Sequence, residues 1–440
     1  MARLFGTDGV RGVAGEELDR DLAVALGRAA VRKIGKRIFI GRDSRESGPM
    51  LEQALIDGIC AEGGQPAIVG IVPTPAIALI TREMGANCGI VISASHNPPE
   101  YNGIKFFDGE GYKLPDAVED EMQAIVEEIR GEQVETGQAR PVPNAALYYA
   151  NHAAAVLQER GVDLSGMKIA VDCAHGASCE TTPATLRALG AEVFVINGDP
   201  DGSEINVGCG STHLEPVKFL MESRGADIAI AHDGDADRML ALAPDGTVID
   251  GDFLLAICAK DLKERGLLDN NLVVSTVMAN LGFQLAMRRE GIDVITTKVG
   301  DRYVLEAMRE HGAVLGGEQS GHIIFGKRNT TGDGLVSALE LLGVIAASGK
   351  TATELMSVME KFPQALVNVR VTDRTLYDGN EAIAAAEAAA EAELGDEGRL
   401  LVRPSGTEPL IRVMVEAHTQ QQADEIANRV ADVVIEQIGA

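Results

Sequence analysis

Tryptophan is absent from this chain of 440 residues, and aromatic residues of all kinds make up only 4% of it. The hydrophobic cores must therefore be built mainly from Ala, Val, Ile and Leu. Apolar residues make up 45% and charged residues 24%, which is the composition of a globular protein with well-formed cores. A chain of this length predicts about three or four domains.

Basic residues are scarce compared with acidic ones: 39 Lys and Arg against 66 Asp and Glu give a formal charge of −27. This balance argues against a protein that binds nucleic acid or anionic membranes non-specifically, because both need a basic surface. We therefore expect no nucleic-acid partner and no membrane. An anionic small molecule can still bind where basic side chains gather in a cleft.

The six cysteines contain no CxxC pair, and their spacing matches no zinc site. A chain of this length does not need disulfides, so reduced thiols are the simpler interpretation. The first residues have no apolar signal core, and no apolar run is long enough to span a bilayer. We expect a soluble protein of the cytoplasm.

Short apolar runs alternate with amphipathic helices along most of the chain, which is typical of α/β layers. The pattern restarts twice, and a loose stretch with two prolines at 137–144 precedes the first restart. The last part begins with a segment that alternates apolar and polar residues, like a half-exposed strand. We therefore predict α/β domains at 1–145, 146–249 and 250–363, followed by a small α+β domain at 364–440.

Three polar loops follow predicted strands, at residues 93–98, 232–238 and 316–322. In open α/β sheets, ligands gather in the crevice beyond the strand ends, so these loops are candidates for one site. The alternative is three unrelated surface loops. Their side chains are chemically complementary, which favours a shared site.

The loop at 232–238 places Asp233, Asp235 and Asp237 at alternate positions, with small residues between them. Such close anions repel one another unless a cation neutralises them, and ligands that are all oxygen favour magnesium or calcium. An EF-hand is excluded, because Arg238 stands where glycine is needed and Pro244 where a bidentate glutamate is needed. The remaining alternative is a solvated acidic turn, but the pattern favours a metal site.

Ser95 lies directly after an apolar strand, with Lys105 a short way downstream. A turn residue or a helix cap is the commoner fate of a serine. No G-x-S-x-G motif surrounds it, so a hydrolase triad has little support. A phosphorylated serine would supply the oxygen ligand that three aspartates leave unfilled, and magnesium favours that mixture of ligands.

Two further segments carry polar groups. Arg403, Ser405, Gly406 and Thr407 follow a predicted strand and could grip a phosphate, although a solvated turn is the alternative. No Walker A loop competes, because Val344 occupies the upstream glycine position of the nearest match. The loop at 316–322 offers Glu318, Ser320 and His322, which suit sugar hydroxyls and proton transfer. Alone it is a weak signal, since a lone histidine is more often structural.

Six segments in this order resemble the α-D-phosphohexomutase family, and the resemblance runs over essentially the whole chain. They are 4–12, 92–98, 102–107, 233–238, 316–322 and 403–409. Each is only moderately specific, but all of them in register are very specific. The resemblance implies an α/β fold of three α/β/α sandwich domains with mixed sheets plus a smaller C-terminal α+β domain, around a central cleft. In chain order these would be the phosphoserine, metal-binding, sugar-recognition and phosphate-binding domains.

The resemblance also implies roles for individual residues. Ser95 resembles the phosphoserine, whose phosphate would join Asp233, Asp235 and Asp237 as magnesium ligands. The other implied roles are sugar-hydroxyl contacts for Glu318 and Ser320, a phosphate clamp for Arg403, Ser405, Gly406 and Thr407, a catalytic polar cluster for Arg11, Lys105 and His322, and neutralisation of phosphate charge for Arg238 and Lys298. The alternative for the last two is a surface ion pair.

The implied activity is that of an isomerase, an intramolecular phosphotransferase. Some members of the family have a histidine where this chain has Asp301, which argues for an amino sugar. We therefore expect interconversion of glucosamine 6-phosphate and glucosamine 1-phosphate, with a 1,6-bisphosphate as intermediate and activator, in a homodimer. The alternatives are phosphomannomutase or phosphoglucomutase activity, a metal-dependent sugar phosphatase, and a catalytically silent sugar-phosphate-binding protein.

Overall fold

A computed structural model describes residues 3–6, 8–405 and 409–440. The chain divides into two compact units. One consists of Met1–Met278 with Glu290–Val358, and the other of Ala279–Arg289 with Met359–Ala440.

The first sheet of the larger unit and its helices are formed by β1 (Val10–Val13), α1 (Arg20–Lys33), β2 (Arg37–Arg42), α2 (Gly48–Ala61), β3 (Gln65–Ile71), α3 (Thr74–Glu83), β4 (Cys88–Ile92), β5 (Tyr101–Asp108), α4 (Asp116–Ile129) and β6 (Arg140–Pro141). The strand order is β1-β5-β4-β2-β3-β6. β4, β2, β3 and β6 run parallel, while β1 and β5 are antiparallel to their neighbours, so the sheet is mixed.

The next segment, after α5 (Ala145–Arg160), builds a second mixed sheet. Its elements are β7 (Lys168–Asp172), α6 (Thr181–Ala188), β8 (Glu192–Ile196), α7 (Glu215–Arg224), β9 (Ile228–His232), β10 (Met239–Leu242) and β11 (Val248–Ile249). The order is β11-β10-β9-β7-β8, with β9, β7 and β8 parallel. β10 pairs antiparallel with β9 and with β11. The turn residues at 244–246, between two apolar runs, predict a hairpin at 239–249, and the pairing of β10 with β11 confirms it.

A third mixed sheet follows in the order β13-β12-β14-β15. The elements of this part of the chain are α8 (Gly251–Glu264), β12 (Leu272–Thr276), α9 (Leu281–Arg289), β13 (Asp293–Thr297), α10 (Asp301–His311), β14 (Leu315–Gly317), β15 (Ile323–Phe325), α11 (Gly334–Ser348) and α12 (Ala352–Leu355). Of these, α9 belongs to the smaller unit.

The smaller unit carries an antiparallel sheet in the order β16-β18-β17. It is formed by β16 (Gln364–Arg370), α13 (Glu381–Leu394), β17 (Arg399–Pro404), β18 (Leu410–Glu416) and α14 (Gln420–Ile438). Alanine, valine and isoleucine dominate its core, as the shortage of aromatic residues predicts. The predicted fold class, three α/β parts with mixed sheets and a small C-terminal α+β part, is confirmed. The four domain boundaries stay predictions.

The three mixed sheets share one local arrangement. In each, a strand with a parallel neighbour ends in a polar loop, and an antiparallel strand carries the chain back: β4 to β5, β9 to β10, and β14 to β15. The loops are the three polar segments identified in the sequence. Each loop is therefore fixed at both ends by neighbouring strands of one sheet.

The sequence predicts Ser47 as an N-cap, with Pro49 in the first helical turn, and an acidic helix from about Glu119 to Ile129; the structure differs at both helix starts. Ser47 does precede α2, but its side chain makes no capping hydrogen bond and instead accepts one from Asn102 Nδ2 at 2.8 Å. The acidic helix α4 begins at Asp116, directly after Pro115, rather than near Glu119. The proline is the better signal for a helix start, because its fixed φ suits the first positions and continuation upstream is disfavoured.

Candidate active site

Ser95 lies at the first turn beyond β4 and is 1% exposed. Its backbone has a φ of +53°, a conformation that is uncommon for serine. The Ser95 amide donates to Ser93 Oγ at 2.9 Å, and the Ser95 hydroxyl donates to Asp233 Oδ2 at 2.6 Å. The side chain thus points from the first sheet into the acidic loop of the second.

Asp233, Asp235 and Asp237 are all buried, and each offers one carboxylate oxygen within 4.8 Å of the others. Burial and repulsion from its two neighbours raise the pKa of Asp233 well above its usual range. One oxygen each of Asp235 and Asp237 is buried with no hydrogen-bond partner in the described part of the chain. Three converging carboxylates with unsatisfied oxygens fit a bound cation.

The backbone of the acidic loop is held by all three α/β parts. Thr74 N donates to Asp235 O at 2.9 Å, Ala177 N to Gly234 O at 2.8 Å, and Gly334 N to Ala236 O at 3.0 Å. A Cβ at position 234 would lie 2.8 Å from Ser95 O, so glycine permits the close approach of the two loops. These contacts explain why the carboxylates converge despite their repulsion.

Lys105 lies on β5 with its side chain buried. Its Nζ is 2.9 Å from Asp235 Oδ2 and 2.9 Å from Asp8 Oδ2. Burial alone would lower the pKa of Lys105, but these carboxylates outweigh it and raise the pKa above its usual range. Thr74 Oγ1 also donates to Asp235 Oδ2, at 2.7 Å. Lys105 therefore stays charged beside the acidic loop.

Two further cations face this region. Arg11 on β1 pairs with Asp8, and Arg238 Nε is 3.8 Å from Asp237 Oδ1. Burial would lower the pKa of each guanidinium, but the neighbouring carboxylates raise both. His96 Nδ1 lies 3.3 Å from Ser95 Oγ. Burial, together with the positive charge of these arginines, lowers the pKa of His96 to about 4, so its ring is neutral at neutral pH.

The loop between β14 and β15 contributes Glu318 and His322. Glu318 Oε1 accepts a hydrogen bond from Gly300 N at 3.0 Å. His322 is 3% exposed, and neither ring nitrogen has a hydrogen-bond partner among the described residues. Its Nε2 lies 3.6 Å from Asp301 Oδ2 and 3.9 Å from Asp237 Oδ2. This loop is therefore next to the acidic one.

A cavity of about 470 Å³ lies where these groups meet. Its lining includes Arg11, His96, Asp237, Arg238, Glu318 and His322. Such a volume suits a small polar ligand. Ser320 is exposed and lies outside this lining, as does the exposed Lys298, although the next three residues after Lys298 line the cavity.

The predicted phosphate clamp belongs to the smaller unit. Arg403 on β17 lies directly opposite Arg412 on β18. Burial is the larger cause of the lowered pKa of Arg403, and the like charge of Arg412 is the smaller one. Ser405 is buried; its amide donates to Leu410 O at 2.8 Å and its carbonyl accepts from Arg374 Nη1 at 2.5 Å. Gly406 and Thr407 lie outside the described residues.

Several contributors were missed from the sequence. Arg45, in the turn after β2, is completely buried and donates to the carbonyl oxygens of Ser95 and Asn97 at 3.0 and 2.8 Å. Asn206 Nδ2 donates to the same two oxygens at 2.9 and 3.1 Å. Lys113 binds Asp8 and Asp301. The polar turn at 41–45 was a visible signal for Arg45, whereas Asn206 and Lys113 stood in no recognisable pattern.

Comparison with known proteins identifies the family. Its four domain models, described as phosphoglucomutase/phosphomannomutase alpha/beta/alpha domains I, II and III and C-terminal domain, match residues 2–133, 148–246, 250–362 and 366–433. The chain belongs to the phosphoglucomutase/phosphomannomutase family. The resemblance and the enzyme class predicted from the sequence are confirmed, since the relatives of this family are phosphohexomutases.

Individual members of the phosphoglucomutase/phosphomannomutase family are similar over the full length. The phosphoglucosamine mutase of Symbiobacterium thermophilum is 50% identical over 446 residues, which cover 99% of both chains. A phosphoglucomutase/phosphomannomutase family protein from Burkholderia thailandensis has a structure with a TM-score of 0.83, at 26% identity, covering 99% of this chain and 97% of that one.

A more distant structure shares the fold. Aspergillus fumigatus N-acetylphosphoglucosamine mutase, solved in complex with GlcNAc-6P and magnesium, has a TM-score of 0.70 at 20% identity, with coverage of 99% and 95%.

Within the described residues, no single helix has the length and apolarity to cross a bilayer. Gly334–Ser348 and Ala352–Val358, which are bent by 96° relative to each other, meet those criteria only as a pair.

Proposed function

We propose that this chain is a phosphoglucosamine mutase that interconverts glucosamine 6-phosphate and glucosamine 1-phosphate through a phosphorylated Ser95. The observation that carries the proposal is the hydrogen bond from the buried Ser95 hydroxyl to Asp233 Oδ2, at 2.6 Å, beside two further carboxylates. A serine placed there can carry a phosphate whose oxygens share a cation with the aspartates. The name of the relative that is 50% identical supports the choice of sugar.

The proposed metal is magnesium, held by Asp233, Asp235 and Asp237 together with the Ser95 phosphate. Oxygen ligands alone, and two buried oxygens without hydrogen-bond partners, suit a hard divalent cation. When bound, the metal would neutralise charge on the phosphoryl group being transferred.

The side chains around Ser95 have distinct proposed roles. Arg11, Lys105 and Arg238 remain positively charged and offset the negative charge of the phosphoryl group. The phosphoryl group passes from Ser95 Oγ to the free sugar hydroxyl, so the Oγ–P bond breaks as the new O–P bond forms. The hydroxyl proton passes to a nearby base, and the leaving oxygen, Ser95 Oγ, takes up a proton from solvent. His322 is the proposed base among the candidates, because neither of its ring nitrogens has a hydrogen-bond partner among the described residues.

The return step regenerates the enzyme. The 1,6-bisphosphate turns over so that its other phosphate faces Ser95, and that phosphoryl group moves to Ser95 Oγ as the product regains its hydroxyl. Glu318 and Ser320 would hold the sugar hydroxyls in both orientations. Arg403, Ser405, Gly406 and Thr407 would bind the phosphate that does not react, and Lys298 would help to neutralise phosphate charge.

A hexosamine or hexose 1,6-bisphosphate would activate the enzyme, because it can transfer a phosphoryl group to Ser95 when that serine is not phosphorylated.

The proposed location is the cytoplasm and the proposed assembly is a homodimer. The six cysteines, all within the described residues, are free thiols, which suits the reducing cytoplasm. Sedimentation of the purified protein would test the homodimer.

The test combines chemistry at Ser95 with a comparison of sugars. Mass spectrometry should find one phosphate on the peptide that contains Ser95, and Ser95→Ala should abolish turnover without loss of fold. Ser203→Ala, which alters an exposed serine, is the matched control. Undiminished activity of Ser95→Ala would remove Ser95 from the mechanism.

Three outcomes separate the proposed activity from its alternatives. Faster turnover of mannose or glucose phosphates than of glucosamine 6-phosphate would show that the sugar is wrong. Inorganic phosphate released in step with substrate loss would indicate a phosphatase. Binding of sugar phosphate without any turnover would indicate a silent binding protein.

A further inference from the structure

Lys113 lies between β5 and α4, and its side chain is only 9% exposed. An isolated β-bridge to Phe107 fixes its backbone. Its ammonium group binds two carboxylates that come from distant parts of the chain, Asp8 Oδ1 and Asp301 Oδ2. Burial alone would lower the pKa of Lys113, but these carboxylates raise it above its usual range, so the ammonium group is charged at neutral pH.

The two partners of Lys113 differ in what else they contact. Asp8 Oδ2 also contacts Lys105, at 2.9 Å, and Arg11, so Asp8 has two further cations. Asp301 has Lys113 as its cation, with the Arg302 amide donating to Oδ1 at 2.8 Å and His322 Nε2 at 3.6 Å. Removal of the lysine charge would therefore disturb Asp301 more than Asp8.

Asp301 is the first residue of α10 and follows Gly300 directly. Gly300 has a φ of +131°, a conformation that L side chains rarely adopt, and its amide donates to Glu318 Oε1 at 3.0 Å. Asp301 is therefore the next residue along the chain from the donor that orients Glu318, so holding Asp301 limits where that donor can lie. A second contact also holds the start of α10, since Arg302 donates to Leu114 O at 3.2 Å.

A purely structural ion pair is the alternative, and the same unit contains one for comparison. Arg160 binds Asp261 and Glu340, at 2.8 and 2.6 Å, and neither carboxylate lines the cavity of the active site. Both partners of Lys113 do line that cavity, as does Glu318. The lysine itself is outside the lining, so its effect on a ligand must pass through these carboxylates.

We propose that Lys113 is a positioning residue for sugar recognition. It holds Asp301, and through Gly300 the carboxylate of Glu318, where these groups meet the sugar ring. The inference rests on the proposed function, because that function places Glu318 on the sugar hydroxyls.

The test compares Lys113→Met with Lys113→Arg in the full chain. Because the change acts most strongly on Asp301 and Glu318, which the proposal places against the sugar, Lys113→Met should raise KM for glucosamine 6-phosphate about tenfold and affect kcat less, by under about threefold. Lys113→Arg keeps a cation at the same place and should restore most of the wild-type KM. Isothermal calorimetry with glucosamine 6-phosphate should show a matching rise in Kd.

Two more variants keep the test valid if Lys113→Met folds poorly. That substitution leaves Asp8 and Asp301 facing each other without their shared cation, a costly arrangement for buried charges. Lys113→Met combined with Asp301→Asn removes one of these charges and should fold, yet keep the raised KM. Lys327→Met is the matched control, because it removes an exposed lysine paired with Asp269, at 2.8 Å, and should leave KM unchanged.

The outcomes distinguish the two proposals. A folded double variant with wild-type KM, or a fall in kcat and Tm with KM unchanged, would show that Lys113 is only structural and overturn the inference. A wild-type enzyme that turns over another hexose phosphate instead would overturn the proposed sugar. The KM comparison would then be made with that hexose phosphate, where the same tenfold rise supports the positioning role and its absence contradicts it.

Discussion

Lys105 Nζ lies 2.9 Å from Asp235 Oδ2, and the side chains of both residues are almost completely buried. This lysine neutralises one member of the acidic triad. The pKa of Asp233 is nevertheless raised, because Asp233 is buried and is repelled by Asp237 and Asp235. The triad therefore lacks positive charge that a divalent cation can supply.

A bound metal should consequently stabilise the protein. Adding Mg²⁺ to chelator-treated protein should raise Tm progressively with the logarithm of its concentration above Kd, by an amount equivalent to about 2.7 kcal/mol at one hundred times Kd. Asp237→Asn should weaken this effect, because it removes a charged ligand. Asp269→Asn, at an exposed ion pair, is the control. A rise in Tm that is the same in wild type and Asp237→Asn would place the metal elsewhere.

Arg45 should control the chemical step through the backbone of the Ser95 loop. Its guanidinium donates to the carbonyl oxygens of Ser95, Asn97, Pro98 and Tyr101. Lysine cannot reproduce this planar set of donors. Because a misplaced reacting group can cost about a hundredfold, Arg45→Lys should lower kcat by about tenfold or more with little change in KM. Steady-state kinetics and the phosphate content of Ser95 would measure it.

Arg20→Lys provides the comparison for Arg45→Lys. Arg20 binds the buried carboxylate of Asp57 at 2.7 Å and contacts none of the loops around the cavity. The Arg20→Lys variant should therefore keep the wild-type kcat. If kcat of Arg45→Lys fell only in proportion to the fraction of folded protein, Arg45 would stabilise the fold without positioning the Ser95 loop.

The sequence predicted those parts of the candidate site whose residues lie close together along the chain. Asp233, Asp235 and Asp237 alternate within one loop, and Ser95 and Glu318 each follow an apolar strand. Because such loops lie beyond strand ends, chemistry and strand pattern together were enough to bring them into one site. The hairpin after the aspartates was also predictable, because the residues that form its turn lie within one short segment.

The remaining parts depend on contacts between distant segments. Asn206 reaches Ser95 across 111 positions, and Lys113 reaches Asp301 across 188. Nothing local marks either residue, since an asparagine in a loop and a lysine between a strand and a helix are ordinary features. Lys298 shows the converse: it stood in a promising segment, yet its side chain is exposed.

Arg403 and Arg412 should act together on a phosphate. They are direct neighbours across β17 and β18, where like charges opposite each other are unfavourable and a phosphate bound to both would offset their repulsion. Arg412→Met should therefore raise KM about tenfold with kcat nearly unchanged, since the lost charge-assisted hydrogen bond holds a phosphate that does not react. Inorganic phosphate should raise Tm of the wild type more than that of the variant.

The control for Arg412→Met is Arg429→Met, which removes an exposed arginine paired with Glu393 on a helix of the same unit. It should leave both KM and the response to phosphate unchanged. Equal responses to phosphate in wild type and Arg412→Met would contradict a role for Arg412 in the clamp.

Gly58 should be indispensable for the packing of α1 against α2. A Cβ built at position 58 lies 2.1 Å from the carbonyl oxygen of Val24, and one at Gly27 lies 2.6 Å from that of Leu55. These are backbone atoms, so the helices must separate to admit a methyl group. Overpacking of this kind costs about 1–3 kcal/mol. Alanine would gain back about 1 kcal/mol through its higher helix propensity.

The sign of the change in Tm decides which effect is larger. We expect Gly58→Ala to lower Tm by about 1–3 °C, because a chain of this length shifts by only about 1–2 °C for each kcal/mol, and Gly27→Ala to do the same to a smaller degree because its contact is longer. Both variants keep every residue of the candidate site, so kcat of the folded fraction should not change. An unchanged or raised Tm for Gly58→Ala would mean that α1 and α2 can move apart freely.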